Sequence, residues 1–190
     1  RQGASGDPAA RARQHYERLL LYFLEEENIN IRRLGVHAIA STGDPHVFEF
    51  LNELLESEPV IELRLAALEE IGKMVDQPKA IELLGNALYS DNTAILDETL
   101  QILYKNDFCF LPSLDPLIAA LQEPFLLDQR SIYIILKLYK RMKDKEVIRP
   151  TLQLMGTEIS RSLVGAAIEA ITEIIKPTSI MEYLAALPET

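Results

Sequence analysis

The sequence predicts an all-α fold in which about five two-helix repeats stack into an α-solenoid. Apolar residues recur at three- and four-residue spacing, and no segment keeps the alternation of apolar and polar residues that a half-buried strand requires. Apolar columns repeat every 32 to 34 residues along the chain. Because prolines also interrupt the chain at short intervals, the pattern excludes the long helices of a four-helix bundle and favours stacked helical hairpins.

Proline-marked boundaries set the predicted helices. Asp7 and Pro8 form a good helix start, because a carboxylate accepts free backbone amides and proline is tolerated at the first helical position. Asp44 and Pro45 form a second Asp-Pro pair of the same kind, which predicts another helix start. The predicted helices cover residues 8–26, 28–42, 45–57, 59–75, 78–90, 92–105, 113–123, 126–142, 145–157, 160–176 and 178–187.

Each type of helix carries its own apolar columns. In the second helix of each repeat, one column steps by 32, 32, 33 and 32 residues through Ile39, Ile71, Leu103, Leu136 and Ile168. A second column in the same helices contains Val36, Leu68, Leu100, Tyr133 and Gly165. The first helices carry a comparable column through Leu55, Leu88, Leu121, Met155 and Leu187. Because a two-helix unit cannot bury its apolar face alone, these columns predict a continuous core made by stacking.

The charge balance and the cysteine content limit the partners and the compartment. Nineteen Lys and Arg against 29 Asp and Glu give a net charge of −10, which opposes binding to nucleic acids and to anionic membranes. The longest unbroken apolar run, Leu19 to Leu24, is six residues and is too short to span a membrane. A single cysteine, Cys109, permits no internal disulfide and suits a reducing compartment. We therefore expect a cytoplasmic protein without nucleic-acid or membrane contacts.

The chain is predicted to form one domain. Residues 1–7 are expected to be disordered or appended to the natural chain, and residues 8–190 are expected to form a single repeat domain that is a fragment of a longer protein. The last predicted helix lacks a companion, although the ends of a solenoid need polar outer faces. Continuation of the chain or self-association is therefore predicted from the apolar residues of that helix, which are Ile180, Tyr183, Leu184 and Leu187.

Two segments carry a recognisable repeat pattern. Residues 31–45 and 63–78 resemble the HEAT-like repeat, in particular the short bacterial kind that also occurs in phycobilisome lyases. The likeness extends over nearly the whole chain, and it implies a right-handed α-solenoid whose second helices line the concave side. Tetratricopeptide repeats have a similar period, but the absence of Trp argues against them.

The same resemblance implies a structural column of arginines near the start of the second helices. In the HEAT-like family this Arg reaches an acidic group in a turn of its own or a neighbouring repeat. Arg32, Arg64 and Arg161 occupy the column here, whereas Leu96 and Gln129 replace Arg in the two repeats between them. The candidate acidic partners in the preceding turns are Glu25, Glu26, Glu27, Glu56, Glu58, Asp128 and Glu158.

Residue patterns for catalysis and for metal or nucleotide binding are missing from the sequence. The three histidines, His15, His37 and His46, have no His or Cys at a helical spacing of three or four residues. The sequence has no Gly-rich phosphate loop, no Gly-x-Ser-x-Gly elbow and no Cys-x-x-Cys pair. We therefore predict a non-enzymatic protein with no catalytic residue, no cofactor and no metal site.

Three local features have two interpretations each. Cys109 lies between two phenylalanines, so a buried apolar residue is a better interpretation than a nucleophile. Phe125, Tyr133 and Tyr139 form either an aromatic binding patch or, as we prefer, part of the core. A basic run offsets a helix dipole at a solvated C-terminus or meets an acidic partner. This run consists of Lys137, Lys140, Arg141, Lys143 and Lys145.

The exposed side of the second helices is the remaining candidate site. Mixed-charge surfaces of this kind bind an extended segment or a helix of another protein, and their charges set specificity. We therefore predict a protein–protein interaction scaffold. The alternatives are a bilin-chromophore lyase or chaperone subunit of the phycobilisome-lyase type and a regulatory repeat domain of a larger sensor or transporter. The predicted partner-binding residues are Arg33, His37, Glu69, Lys73, Asp97, Gln101, Lys105 and Lys137.

Overall fold

The computed structural model describes residues 22, 25–44, 46–108 and 111–175. Within these ranges the chain forms nine α-helices and two short 3-10 turns, and none of these residues lies in a strand. The predicted all-α fold of the α-solenoid class is therefore confirmed. Across the same residues, no helix combines the length and the apolar character needed to cross a membrane.

The chain divides into two compact units, Arg1–Ala80 and Ile81–Thr190. Four helices belong wholly or partly to the first unit, and their bounds are α1 Ile29–Ala40, α2 Val47–Ser57, α3 Ile61–Lys73 and α4 Pro78–Ala87. Helices α1 and α3 are each the second helix of a repeat, and α2 is the first helix of one. The boundary between the two units falls within α4.

Packing in the first unit follows from the apolar faces of its helices. Both α1 and α2 pack against α3, and α1 also contacts α2. Asn28 caps α1, because its side chain accepts a hydrogen bond from the amide of Asn30 at 3.0 Å. Gly43 has φ +69 in the turn before α2, a left-handed conformation that glycine adopts without steric cost. The larger side chains with no exposed surface among the described residues of this unit are Val36, Leu51, Leu63, Leu68 and Ile71.

Five further helices lie in the second unit, and their bounds are α5 Thr93–Lys105, α6 Asp115–Gln122, α7 Gln129–Met142, α8 Ile148–Met155 and α9 Arg161–Ile174. Two 3-10 turns lie at Pro124–Leu126 and Lys145–Val147. Helices α6 and α8 are each the first helix of a repeat, and α5, α7 and α9 are each the second helix of one. Helix α7 packs between α5 and α9, while α8 packs against both α6 and α9. The second helices of this unit therefore lie side by side in one row.

Polar caps fix the ends of α5 and α7. The side chain of Asn92 accepts a hydrogen bond from the amide of Ala94 at 3.0 Å, and Asp128 accepts one from the amide of Ser131 at 2.6 Å. This bond to the ionised carboxylate lowers the pKa of Asp128. Lys143 ends α7 in the left-handed conformation with φ 55. Short polar side chains thus determine where the rigid helices begin and end.

The predicted helix bounds differ from the observed ones by at most three residues at either end. The largest differences at N-terminal ends occur at α7 and α8, where a 3-10 turn takes up the first residue or the first three residues of the predicted helix. The predicted helix 178–187 and the predicted N-terminal stretch 1–7 lie outside the described residues, as does most of the predicted helix 8–26.

Three residues that were predicted for the buried columns of α7 and α9 are exposed. The predicted core residues Tyr133 and Ile168 are 37% and 48% exposed, and Gly165 is exposed as well. Ile132 and Ala167, which directly precede Tyr133 and Ile168, are buried instead. A constant step of 32 residues therefore describes the buried column, which runs through Ile39, Ile71, Leu103, Ile135 and Ala167.

The predicted assignment of the aromatic residues to the core is wrong for Phe125. Tyr139 is fully buried in α7, where burial raises the pKa of its phenol. Phe125 is 80% exposed, because it sits in the 3-10 turn Pro124–Leu126 between α6 and α7 rather than on a packed helix face. Tyr133 lies on the exposed side of α7.

Candidate functional site

The first unit brings together four of the predicted partner-binding residues. Arg33, His37, Glu69 and Lys73 line a cleft of about 440 Å³ between the exposed sides of α1 and α3. Residues four apart on a helix lie on the same face, so each helix contributes one pair. We call this the mixed-charge cleft.

Two contacts join the sides of the mixed-charge cleft, and a third lies within α3. Arg33 Nη2 lies 2.9 Å from Glu69 Oε2. His37 Nδ1 lies 3.1 Å from Glu70 Oε1, and Lys73 Nζ lies 2.5 Å from the same oxygen. Glu70 is the central acceptor of this network, although its side chain is only 8% exposed.

Glu70 was not predicted as a site residue. It occupies the position that Ile102 and Ile134 occupy 32 and 64 residues later, and both of those isoleucines are buried. A carboxylate at a buried register position needs charged or hydrogen-bonding partners, since burial without them is costly. A Glu that interrupts an apolar column is the sequence signal that would have identified it.

In the second unit, two of the three predicted partner-binding residues of α5 form hydrogen bonds with α7. Asp97 accepts a hydrogen bond from the hydroxyl of Ser131, and Gln101 Oε1 accepts one from Arg130 Nη2 at 3.1 Å. Asp97 and Gln101 are therefore half-buried between α5 and α7. Lys105 is exposed at the C-terminal end of α5.

Lys137, the last predicted residue, lies in a second cleft of about 470 Å³. Four cations and two tyrosines line it together with one carboxylate, and the lining residues are Tyr104, Tyr133, Lys137, Lys140, Arg141, Lys143 and Glu173. We call this the basic cleft. The predicted basic run thus contributes all of its members except Lys145 to a single concave surface of the second unit.

Tyrosine rings support two of the cations in the basic cleft. The Nζ atom of Lys137 lies 5.1 Å from the centre of the Tyr133 ring, and the guanidinium of Arg141 lies 4.7 Å from the centre of the Tyr104 ring. Arg141 Nη1 also donates to the Tyr104 carbonyl at 2.9 Å, and its Nη2 lies 2.8 Å from Asp107 Oδ1. These contacts hold Arg141 in one orientation.

Acidic residues of α9 pair with the lysines of α7. Lys137 Nζ lies 2.8 Å and Lys140 Nζ 3.4 Å from Glu169 Oε2, while Lys143 Nζ lies 2.8 Å from Glu173 Oε1. The hydrogen bond to Glu169 raises the pKa of Lys137, and the neighbouring lysines lower the pKa values of Glu169 and Glu173. These shifts favour the charged forms of Lys137, Glu169 and Glu173.

Lowering the pH is expected to weaken this pairing between α7 and α9. A carboxylate whose folded-state pKa lies below its unfolded-state value of about 4.3 stabilises the fold above that pH, and the stabilisation is lost as the pH falls through the folded-state pKa. We expect the Tm of Glu169→Gln to lie below the Tm of the wild type at neutral pH, and the difference to close as the pH falls below about 4. Thermal unfolding followed by circular dichroism measures both curves. A difference in Tm that does not change with pH would exclude a charge effect.

The arginine column is occupied in three different ways. Arg32 Nη2 lies 2.6 Å from Glu58 Oε2 in the turn before α3. Arg64 donates from Nε to the carbonyl of Leu55 at 2.6 Å, so its contact is with the C-terminal part of α2 rather than with an acid. Arg161 is exposed at the start of α9, and the described residues give it no ion pair.

No group of three or more His, Cys, Asp or Glu side chains that could hold a metal ion occurs in the described part of the chain. Of the residues that were weighed for chemistry, His15 and Cys109 lie outside that part. His46 Nδ1 lies 2.9 Å from Glu49 Oε2 on the exposed surface of α2.

These features define a helical-repeat protein in which charged clefts lie between neighbouring second helices. Residues 17–103 match the family model of HEAT repeats. This match confirms the resemblance to HEAT-like repeats that the sequence pattern predicted, whereas the phycobilisome-lyase subtype stays a prediction. A search of the curated proteins found no match to the sequence. HEAT repeats generally mediate protein–protein interactions.

Proposed function

We propose that this chain is a non-catalytic module that binds a partner protein along the exposed side of its second helices. The observation that carries the proposal is the mixed-charge cleft, where Arg33, His37, Glu69 and Lys73 meet. Each of these side chains contacts a neighbour and still leaves about half of its surface accessible. Such a surface offers charges of both signs in fixed positions, which suits recognition of a polypeptide segment.

The internal pairing of the cleft supports this role. Glu70 is buried and contacts both His37 and Lys73, so these two side chains keep their positions when no partner is bound. Side chains that are already ordered lose less conformational entropy on binding than free ones. The cleft is therefore prepared for a partner that carries both acidic and basic groups.

Site-specific photo-crosslinking tests the proposal. A photo-reactive amino acid replaces Lys73 on α3 or, as the matched control, Glu53, which is exposed on α2 of the same unit. We expect irradiation in an extract of the natural host to give a discrete crosslinked protein from position 73 and none from position 53. The added substitution Arg33→Glu should reduce the crosslink from position 73, because it reverses one charge of the cleft. Equal crosslinking from both positions, or none from position 73, would contradict the proposal.

The crosslinking experiment also tests one of the alternatives that were predicted from sequence. An absorbance spectrum of the crosslinked species tests the bilin-lyase alternative, because a bilin absorbs visible light. The regulatory alternative, the cytoplasmic location and self-association through the C-terminal end stay predictions.

A further inference from the structure

We propose that the basic cleft of the second unit binds an acidic segment of the partner protein. This inference rests on the function proposed above and names the chemistry of what is recognised. The cleft is lined by four cations and one carboxylate, whereas the whole chain has a net charge of −10. A local field of the opposite sign attracts an acidic segment to this place, while the rest of the surface repels it.

The carboxylates that pair with these cations are exchangeable. Asp107, Glu169 and Glu173 all lie on the surface with about half or more of their side chains exposed. Exposed ion pairs contribute little to stability, and their partners exchange readily with other charged groups. Carboxylates of an incoming segment can therefore replace them without leaving a buried charge unpaired.

Two of the four cations, Lys137 and Arg141, also have contacts that do not involve those acids. Tyr133 supports Lys137 and Tyr104 supports Arg141, while the Tyr104 carbonyl fixes the guanidinium of Arg141. Lys140 lies on α7 three residues after Lys137, on a neighbouring position of the same face, and Lys143 directly follows the last residue of the helix. This row presents positive charge along about the last 8 Å of α7 and just beyond its end, at a rise of about 1.5 Å per residue.

A short acidic polypeptide fits this arrangement better than a nucleic acid does. Double-stranded DNA carries about one negative charge per 1.7 Å along its whole length. Such a polyanion would extend beyond the row of lysines onto a surface where most of the other charged residues are acidic, since the chain has 29 Asp and Glu against 19 Lys and Arg. An acidic protein segment can confine its charges to the cleft, and the exposed Tyr133 ring offers it an apolar contact.

Fluorescence anisotropy with the full chain tests the inference. The probe is a fluorescein-labelled peptide of about ten residues made of Glu with Gly and Ser spacers, at about 50 mM salt, where screening is weak. The cleft variant is Lys140→Gln with Lys143→Gln. The control variant is Lys145→Gln with Arg149→Gln, which removes the same charge from exposed residues that do not line the cleft. We expect the cleft variant to bind at least about fivefold more weakly than the wild type and the control variant to lose less than about twofold.

A second measurement uses the wild type alone. Chemical acetylation followed by mass spectrometry should show that the peptide protects Lys140 and Lys143 but leaves Lys145 reactive. Equal weakening by both double variants, absent protection, or equal binding of a peptide with Gln in place of Glu would overturn the inference. Tighter binding of an oligonucleotide with the same charge would overturn it in favour of a nucleic acid. If any of these results is found while crosslinking from position 73 persists, the proposed function stands and only the inference fails.

Discussion

Ile135→Ala is expected to lower the free energy of unfolding by about 3 kcal/mol, whereas Ile168→Ala should lower it by less than about 1 kcal/mol. Ile135 has no exposed surface in α7, so truncation removes buried methylene groups and leaves a cavity. Ile168 is 48% exposed in α9, where the same truncation removes few contacts. The chemical change is identical, and both helices belong to the second unit.

Urea unfolding followed by circular dichroism measures both effects. The repeats need not unfold in one step, so the transition midpoints and slopes of both variants should be compared with those of the wild type. A large loss for Ile168→Ala together with a small one for Ile135→Ala would restore the register predicted from sequence. The pair therefore tests which residues face the core, and not only whether the protein is destabilised by mutation.

The fold was predictable from sequence because it depends on local signals. Caps such as Asn92 and Asp128, prolines at helix boundaries and helical periodicity all act within a few residues of where they occur. These signals located the helices to within three residues. The 3-10 turns escaped prediction, because Pro124–Leu126 has the same apolar character as the helices around it.

The register of α7 was not predictable from its composition. Residues 132–136 are Ile, Tyr, Ile, Ile and Leu, so nearly every position offers a large apolar side chain. Leu136 is buried as predicted, and Ile135 beside it is buried too. An apolar run of this kind does not reveal its rotation about the helix axis, which packing against α5 and α9 decides.

In the candidate site, too, features set within one helix were predictable from sequence, whereas contacts between helices were not. Residues on one helix face, such as Glu69 and Lys73, could be assigned to a surface from their spacing. Their contacts depend on how neighbouring helices are rotated about their axes. The contacts of Glu70 with His37 and Lys73, and the hydrogen bond from Ser131 to Asp97, could therefore not be assigned from sequence. The basic cleft required the structure because it combines residues of α5, α7 and α9.

Arg32→Met is expected to destabilise the protein by about 3 kcal/mol. Arg32 and Glu58 form a partly buried ion pair, with side-chain exposures of 20% and 7%. Methionine keeps the apolar stem of the side chain but leaves the buried Glu58 carboxylate without its cation, which is the costly way to break such a pair. Arg161→Met is the matched control from the same sequence column, and a loss below about 0.5 kcal/mol is expected because Arg161 is exposed. Equal shifts of the urea midpoint in both variants would exclude a structural role for Arg32.

A double-mutant cycle separates the ion pair from the other contact of Glu58. Glu58 Oε1 also accepts a hydrogen bond from the amide of Val60 at 3.1 Å, at the start of α3. Glu58→Leu removes that bond as well as the charge, so it should cost more than the pair alone would explain. With both substitutions the protein should regain about 2 kcal/mol relative to the sum of the single losses, since no buried charge is left unpaired. Additive losses would show instead that the two side chains act independently and that the arginine column does not join α1 to the turn before α3.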